Sequence, residues 1–172
     1  DRNAFVDDLF GWNFRSAEDE PFAPNDPQDV LGHGTHVAGT IGAIGNNNRG
    51  VTGINWRSSL MALKFLDDGN SGQTSDAVSA VNYATLMRTQ FHEPVRVLNA
   101  SWGQSGSESP ALRAAIEAAG EAEMLFVAAA GNGNILGQGI NLDSDPFFPA
   151  SSDLPNVISV AASGPADELA RF

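Results

Sequence analysis

The alternation of apolar and polar residues divides the chain into an irregular opening and a regular remainder. Residues 1 to 31 mix Asp, Asn, Pro and Phe without a sustained period, and Pro21, Pro24 and Pro27 interrupt any helix. That stretch reads as surface loop with short extended pieces. From His33 to Ala43 small residues carry Val37, Ile41 and Ile44 at helical spacing, and Gly45-Asn46-Asn47-Asn48-Arg49-Gly50 closes the run with turn chemistry. The pattern predicts a helix that opens at or near His33. Ser59 to Leu66 predicts a strand, Asp67 to Gly72 a loop, and Thr74 to about Arg88 a helix that buries Ala77, Val78, Val81, Tyr83 and Ala84. A strand is expected from Val95 to Ala100. The next helix is the best marked: Ser109 suits the cap, Pro110 the first position, Leu112, Ala115, Ile116 and Ala119 one face, and Gly120 the stop. Met124 to Ala129 reads as a buried strand, and Val157 to Ala161 as another after the Pro-rich loop from Asp145 to Pro155. Strands alternating with helices, several of them apolar throughout, predict an α/β chain whose parallel sheet is covered on both faces. There is no internal repeat and no low-complexity tract.

Composition narrows the function classes. The 172 residues, 42% hydrophobic and 17% charged, suffice for one domain or a part of one. A net charge of -12 with only nine Lys and Arg argues against nucleic-acid binding, which needs clustered cations to neutralise phosphate. With no cysteine, disulfides, thiol catalysis and thiolate metal sites are excluded. No stretch approaches the about 20 apolar residues of a membrane span, so no membrane partner is expected, and no segment has the order of a signal peptide. The opening at Asp1 and the close at Phe172 lead us to expect a fragment at both ends.

The sharpest chemistry lies in Gly32-His33-Gly34-Thr35-His36-Val37-Ala38-Gly39-Thr40. A histidine among glycines at a helix start can meet a substrate backbone closely, and its imidazole passes protons in both directions near neutrality. Two other readings compete. His33 can be a buried structural residue of a tight helix start. Alternatively, His33 and His36, three apart on one helical face, can begin a zinc site, although no Glu follows His33 and His92 is remote in sequence.

Gly32 to Thr40 resembles the histidine motif of the subtilisin-like serine peptidases, the subtilases of peptidase family S8. Three further segments resemble the same family in the same order. Leu98-Asn99-Ala100-Ser101-Trp102-Gly103 is similar to its substrate-binding strand, and Phe126-Val127-Ala128-Ala129-Ala130-Gly131-Asn132 to the segment ending in its oxyanion asparagine. Phe148-Pro149-Ala150 with Asn156 to Ala162 is similar to the stretch beyond, where the family often has a cis-proline. The resemblance runs from about Asp1 to Ala162.

It implies a three-layer αβα fold with a mostly parallel sheet, incomplete in this chain, and a serine endopeptidase using an Asp/His/Ser triad with an asparagine in the oxyanion hole. His33 would be the general base and Asn132 the oxyanion donor. Gly131-Asn132-Gly133 is also good turn chemistry in its own right. Ser101, Trp102 and Gly103 would pair with the substrate main chain and form one wall of the pocket for the residue before the cleaved bond, with Ala130 and Gly131 beside the oxyanion site. Trp102 is open to a second reading as core. Ser71 and Gly72, in the loop from Gly69, would line the other side of an extended polypeptide, whose recognition through its backbone implies broad specificity.

The resemblance further implies no catalytic cofactor, a structural calcium in the Asn46 to Gly50 loop with Asn47 as ligand, a monomer, and secretion. Asp1, Asn3, Asp7 and Asp8 look like the tail of a second calcium loop, with Arg2 and Ala4 where relatives have Gly.

The family's Asp-Ser/Thr-Gly and Gly-Thr-Ser segments do not occur in these residues, and none of Asp1, Asp7, Asp8, Asp19, Asp26 and Asp29 fits the triad motif. Residues 1–172 are therefore expected to be a partial S8 catalytic domain lacking the Asp segment before it and the Ser segment after it, and silent as a fragment. A non-catalytic subtilase-like domain that binds peptides is the alternative.

Overall fold

The computed structural model describes residues 3–15, 23–133 and 138–170, so Asp1, Arg2, Asp19 and Pro21 lie outside the described residues. In chain order the elements are β1 (Gly11–Asn13), α1 (His33–Gly42), β2 (Ala62–Lys64), α2 (Thr74–Thr89), β3 (Val97–Ala100), β4 (Gln104–Ser105), α3 (Pro110–Glu121), β5 (Leu125–Ala129), β6 (Phe147–Phe148) and β7 (Val157–Val160). The chain separates into two compact units, residues 1–80 and 81–172, with the division inside α2. Among the described residues no helix is long and apolar enough to cross a membrane.

In the N-terminal unit β1 and β2 pair in parallel, with Gly11 opposite Ala62 and Asn13 opposite Lys64. Gly11 lies at φ 118°, where a Cβ would overlap the Ala62 carbonyl oxygen, so only glycine admits this approach. Asn13 is buried; its N–H donates to the Pro24 carbonyl (2.7 Å) and its Oδ1 accepts from the Arg15 N–H (3.1 Å). The strand expected over Ser59–Leu66 is regular only over Ala62–Lys64, because its partner β1 offers three residues.

Helix α1 opens at His33, as its sequence predicts. Gly32 precedes it at φ 92° and has no side chain to cap the first turn. Asp29 supplies the missing acceptor: one carboxylate oxygen takes the Gly32 N–H (2.7 Å) and the other the Thr35 N–H (2.6 Å). A carboxylate at this end also complements the helix dipole.

The helix closes at Gly42, so Ile44 is not on it and is exposed, contrary to the spacing pattern. The N–H groups of Gly53, Ile54 and Asn55 donate to the carbonyls of Ala43, Thr40 and Ile41. They satisfy carbonyls near the helix end that another turn would otherwise use. Val37 and Ile41 are half-buried.

Helix α2 buries Ala77, Ala80, Val81, Tyr83 and Ala84, while Val78 is half-buried.

The C-terminal unit is built on a parallel sheet in the order β3-β5-β7. Val97 to Ala100 face Leu125 to Ala128, and Phe126 to Ala129 face Val157 to Val160. Alternate residues Leu98, Ala100, Phe126 and Ala128 are buried, as are Leu112, Ala115, Ile116 and Ala119 of α3. The Ser109 hydroxyl accepts from the Leu112 N–H (3.4 Å) and Pro110 occupies the first turn, as expected. The opposite set of the sheet, Val97, Leu125, Ile158 and Val160, stays 44–52% exposed. The expectation of a sheet covered on both faces therefore holds for one face of this unit.

Gly120 does not stop α3, which runs on to Glu121. Its reason for being glycine is contact: a Cβ there would lie 2.6 Å from the Asn156 Cγ. The buried Asn156 amide donates to the carbonyls of Ile116 (2.9 Å) and Met124 (3.4 Å), tying α3 to the segments leading into β5 and β7.

Two stability outcomes follow from these ties. Asn156→Ala removes two hydrogen bonds to buried carbonyls and should cost about 1–3 kcal/mol in a denaturant titration; an unchanged midpoint would refute the role given to the amide. For Asp29, burial raises the carboxyl pKa, but the Thr35 and Gly32 N–H groups, the Thr35 hydroxyl and the Lys64 charge outweigh it and hold it below the ordinary 3.8. The charge-linked part of its contribution is thus fully present above pH 3.8 and is lost as pH falls through the lower folded-state value. Asp29→Ala should cost about 1 kcal/mol at pH 7, and the gap to the parent protein should narrow in acid when unfolding midpoints are compared across pH.

Candidate active site

His33 is the first residue of α1 and its side chain is exposed, which removes the reading as a buried structural histidine. Three features fix its backbone: the left-handed Gly32 before it, the Asp29 carboxylate beneath the first turn, and the Lys64 ammonium, which donates to the Gln28 carbonyl (2.9 Å) and ties the preceding loop to β2. The imidazole is thereby presented from a pre-organised helix start. His36 is also exposed, and among the described residues no group of three His, Asp or Glu side chains gathers into a metal site.

The loop carrying Ser71 and Gly72 is organised by a residue the sequence reading passed over. Asp67 Oδ1 accepts from the N–H groups of Gly69 (2.8 Å) and Ser71 (2.9 Å), and the Asp67 N–H donates to the Ser71 carbonyl (2.7 Å). These bonds, the Ser71 N–H first, together with the Arg15 guanidinium 3.9 Å away, outweigh desolvation and hold the Asp67 carboxyl below its ordinary value. Ser71 and Gly72 remain exposed, so the loop offers its backbone to solvent in a fixed shape. A Cβ on Gly72 would overlap the Phe65 carbonyl oxygen.

Asn47 lies in the turn after α1 and is exposed. Its Oδ1 accepts from the Arg49 N–H (3.0 Å), and Asn46, Asn48 and Gly50 take left-handed conformations. For an oxygen-seeking cation the loop offers the second lone pair of Asn47 Oδ1, the neighbouring Asn amides and the loop carbonyls, a neutral donor set compatible with calcium. In the other proposed loop the Asn3 amide donates to Asp8 Oδ2 (2.6 Å), and Ala4 and Asp7 lie at positive φ. Asp1 of that loop is outside the described residues.

In the C-terminal unit two predicted segments meet. Ala100 ends β3 and Ala129 ends β5, its parallel neighbour, so Ser101-Trp102-Gly103 and Ala130-Gly131-Asn132 leave the sheet side by side at its carboxyl edge. Ser101, Trp102, Gly103, Ala130 and Gly131 are half-buried, and Asn132 is exposed. The Ala130 N–H donates to the Val160 carbonyl (2.9 Å), extending the ladder one residue beyond β5 before Gly131, at φ 96°, turns the chain toward Asn132. The Ser101 hydroxyl accepts from the Asn99 amide (2.9 Å). Trp102 sets its ring edge against buried Phe126 (6.4 Å, 88°), so it has a core contact as well as a place at the sheet edge.

The segment after Asp145, expected to be loop, contains a strand. β6 pairs antiparallel with β4, Gln104 opposite Phe148 and Ser105 opposite Phe147, and the Phe148–Pro149 peptide bond is cis. The pairing brings Phe147 against Gly103 and Gly131.

The Subtilase family model matches residues 2–172. Subtilisin amylosacchariticus of Bacillus subtilis subsp. amylosacchariticus is 35% identical over 162 residues, 94% of this chain and 38% of the relative. Subtilisin of Bacillus pumilus is 35% identical over 162 residues, covering 94% of this chain and 52% of that protein. Subtilisin-like protease 2 of Plasmodium falciparum (isolate 3D7) is 31% identical over 156 residues, 88% of the chain and 11% of the relative. Among solved structures, Sphericase superposes with a TM-score of 0.69 at 32% identity over 88% of this chain and 45% of its own. The S41 psychrophilic protease gives 0.68 at 35% identity over 83% and 43%. The chain thus spans about half or less of these relatives. With helices alternating between parallel strands, and four motif segments in the family's order, the chain belongs to the subtilase family of serine peptidases.

Proposed function

We propose that this chain is part of the catalytic domain of a secreted serine endopeptidase, to which it contributes the general base and one oxyanion donor. His33 takes the proton of a serine hydroxyl as that oxygen attacks the scissile carbonyl, and returns it to the departing amine. Asn132 donates its side-chain amide to the oxygen that gains negative charge in the tetrahedral intermediate. The aspartate that orients the imidazole and the nucleophilic serine come from segments of the protein outside residues 1–172. Ser101 to Gly103 receive the substrate main chain as an added strand, with Ala130 and Gly131 alongside, and Ser71 and Gly72 are further substrate-binding residues. The substrates are polypeptides, bound without a catalytic cofactor by a monomer, and no nucleic acid or membrane takes part.

One observation carries this reading. The Ser101–Gly103 and Ala130–Asn132 segments leave the carboxyl ends of adjacent parallel strands, the edge at which open α/β sheets bind their ligands. A calcium ion held by Asn47 and the carbonyls of its loop would stabilise the turn after α1 without entering the reaction.

In the full-length protein His33→Ala should lower kcat on a peptide substrate about 10⁶-fold, and Asn132→Ala about 10²- to 10³-fold. Both magnitudes are taken over from equivalent losses in subtilisin. Peptide binding without turnover in the parent protein would replace the enzyme by a non-catalytic peptide-binding domain. Calcium at a hundredfold excess over its Kd should add about 2.7 kcal/mol of stability, measured by calorimetry with and without chelator. Asn47→Ala should remove that increment, and a chelator-insensitive Tm would end the calcium assignment.

A further inference from the structure

Asn132-Gly133 is the one place in the 172 residues where asparagine is followed by glycine; every other asparagine precedes a residue with a side chain. An asparagine loses its amide when the backbone nitrogen of the next residue reaches its Cγ. A side chain on that next residue shields the nitrogen and limits the backbone rotation required, and glycine does neither. Regular structure opposes the reaction by engaging the N–H in a hydrogen bond and fixing the dihedral angles. Asn156 has both protections: it is buried, its amide donates to the carbonyls of Ile116 and Met124, and β-branched Val157 follows it. Asn132 has neither. Strand β5 ends at Ala129, and the Ala130 N–H makes the last ladder bond, to Val160. Gly131 and Gly133 flank Asn132 at φ 96° and 79°. Among the described residues none accepts the Gly133 N–H or holds the Asn132 amide, and Asn132 is exposed to water and base.

We propose that Asn132 is a site of spontaneous self-modification whose deamidation limits the working life of the enzyme. The effect on activity rests on the proposed oxyanion role of Asn132. The Gly133 nitrogen, its proton taken by hydroxide, attacks the Asn132 Cγ. The new N–Cγ bond closes a succinimide ring as the Cγ–Nδ2 bond breaks, and Nδ2 leaves as ammonia by taking a proton from water, which regenerates hydroxide. A second water then opens the ring. Cleavage of the Cγ–N bond gives aspartate at 132, and cleavage of the backbone C–N bond gives isoaspartate, with the main chain running through the former side chain. The net change consumes one water and releases one ammonia, and its rate rises with pH. Either product replaces the N–H donor by a carboxylate, which has no proton to donate at neutral pH and sets a negative charge against the one developing on the substrate oxygen. A converted molecule therefore loses at least what removal of the donor costs, about 10²- to 10³-fold in kcat.

The test ages the full-length protein at mildly acidic and mildly alkaline pH. Parallel samples are read for kcat on a peptide anilide, for isoaspartate by enzymatic methylation, and for the amide-to-acid mass change of the peptide that contains residue 132. The His33→Ala protein, which cannot digest itself, is aged alongside for the two chemical readouts. Residue 132 should convert ahead of every other asparagine, faster in alkali, and at the same rate in the His33→Ala protein. The fraction of activity lost should equal the fraction converted, and Asn132→Asp should be as inactive as the fully aged protein. Gly133→Asn tolerates the positive φ while placing a side chain beside the attacking nitrogen, and should slow conversion at 132 severalfold. Gly133→Ala should do the same. Each variant is compared with its own starting activity, so differences in basal activity or folded fraction cancel.

Activity that decays while residue 132 stays an amide, or conversion no faster at 132 than at the other asparagines, overturns the proposal and leaves the catalytic assignment standing. Conversion at 132 with kcat retained overturns the oxyanion role of Asn132 and the limit on working life with it. If the full-length protein cleaves no peptide, the peptidase reading falls; conversion of residue 132 ahead of the other asparagines in that same protein still establishes the modification site, and its absence overturns both.

Discussion

In the C-terminal unit the placement of the Ser101–Gly103 and Ala130–Asn132 segments depends on the parallel pairing of β3 with β5. Four consecutive partners, Val97 with Leu125 through Ala100 with Ala128, fix the relative height of the two strands to within one residue. A one-residue slip would turn Phe126 and Ala128 away from the buried side and carry Ser101 and Ala130 out of step. The register is defended by burial on one face, where Leu98, Ala100, Phe126 and Ala128 alternate with exposed or half-buried neighbours. It is defended a second time by Asn156, whose amide can reach the carbonyls of both Ile116 and Met124 only if α3 and β5 hold their places. The geometry of the carboxyl edge of the sheet is thus set by apolar alternation and one buried amide.

Glycine makes the close approaches possible, and its meaning differs from place to place. Gly32 and Gly131 are needed for backbone conformation, at φ 92° and 96°, each turning the chain next to a proposed catalytic residue. Gly103 and Gly120 are needed for space, one admitting the Phe147 ring and the other the Asn156 amide. From sequence alone the two uses look the same. This is why Gly120 reads as a helix stop although the helix passes through it: helix-ending glycines are common, whereas the partner that needs the space lies 36 residues away in Asn156.

The legible parts of the fold were those specified by neighbours in sequence. Ser109 and Pro110 announced α3 together with its buried face, and the small-residue run announced α1 at His33. The strands were legible as existing, but their ends depend on partners: β2 is three residues long because β1 is. Long-range satisfaction was illegible. Ile44 continues the helical spacing, yet the carbonyls near the helix end are taken by Gly53 to Asn55, and the helix stops short of it. Within the site, His33 and the Ser101 and Asn132 segments stood out through family motifs. Asp29, Asp67 and Phe147 did not, since the first two act by receiving backbone N–H groups and the third through a two-residue strand that propensity cannot announce.

The same division between backbone and side chain governs recognition. A substrate held by main-chain pairing along Ser101 to Gly103 is bound almost regardless of its sequence, so selectivity has to arise where a substrate side chain meets an enzyme side chain. At the carboxyl edge of β3 and β5 the neighbouring wall residues Gly103, Ala130 and Gly131 have little or no side chain to discriminate with. Phe147 is the large group in contact with Gly103 and Gly131, fixed by Ser151 and by the β4–β6 ladder.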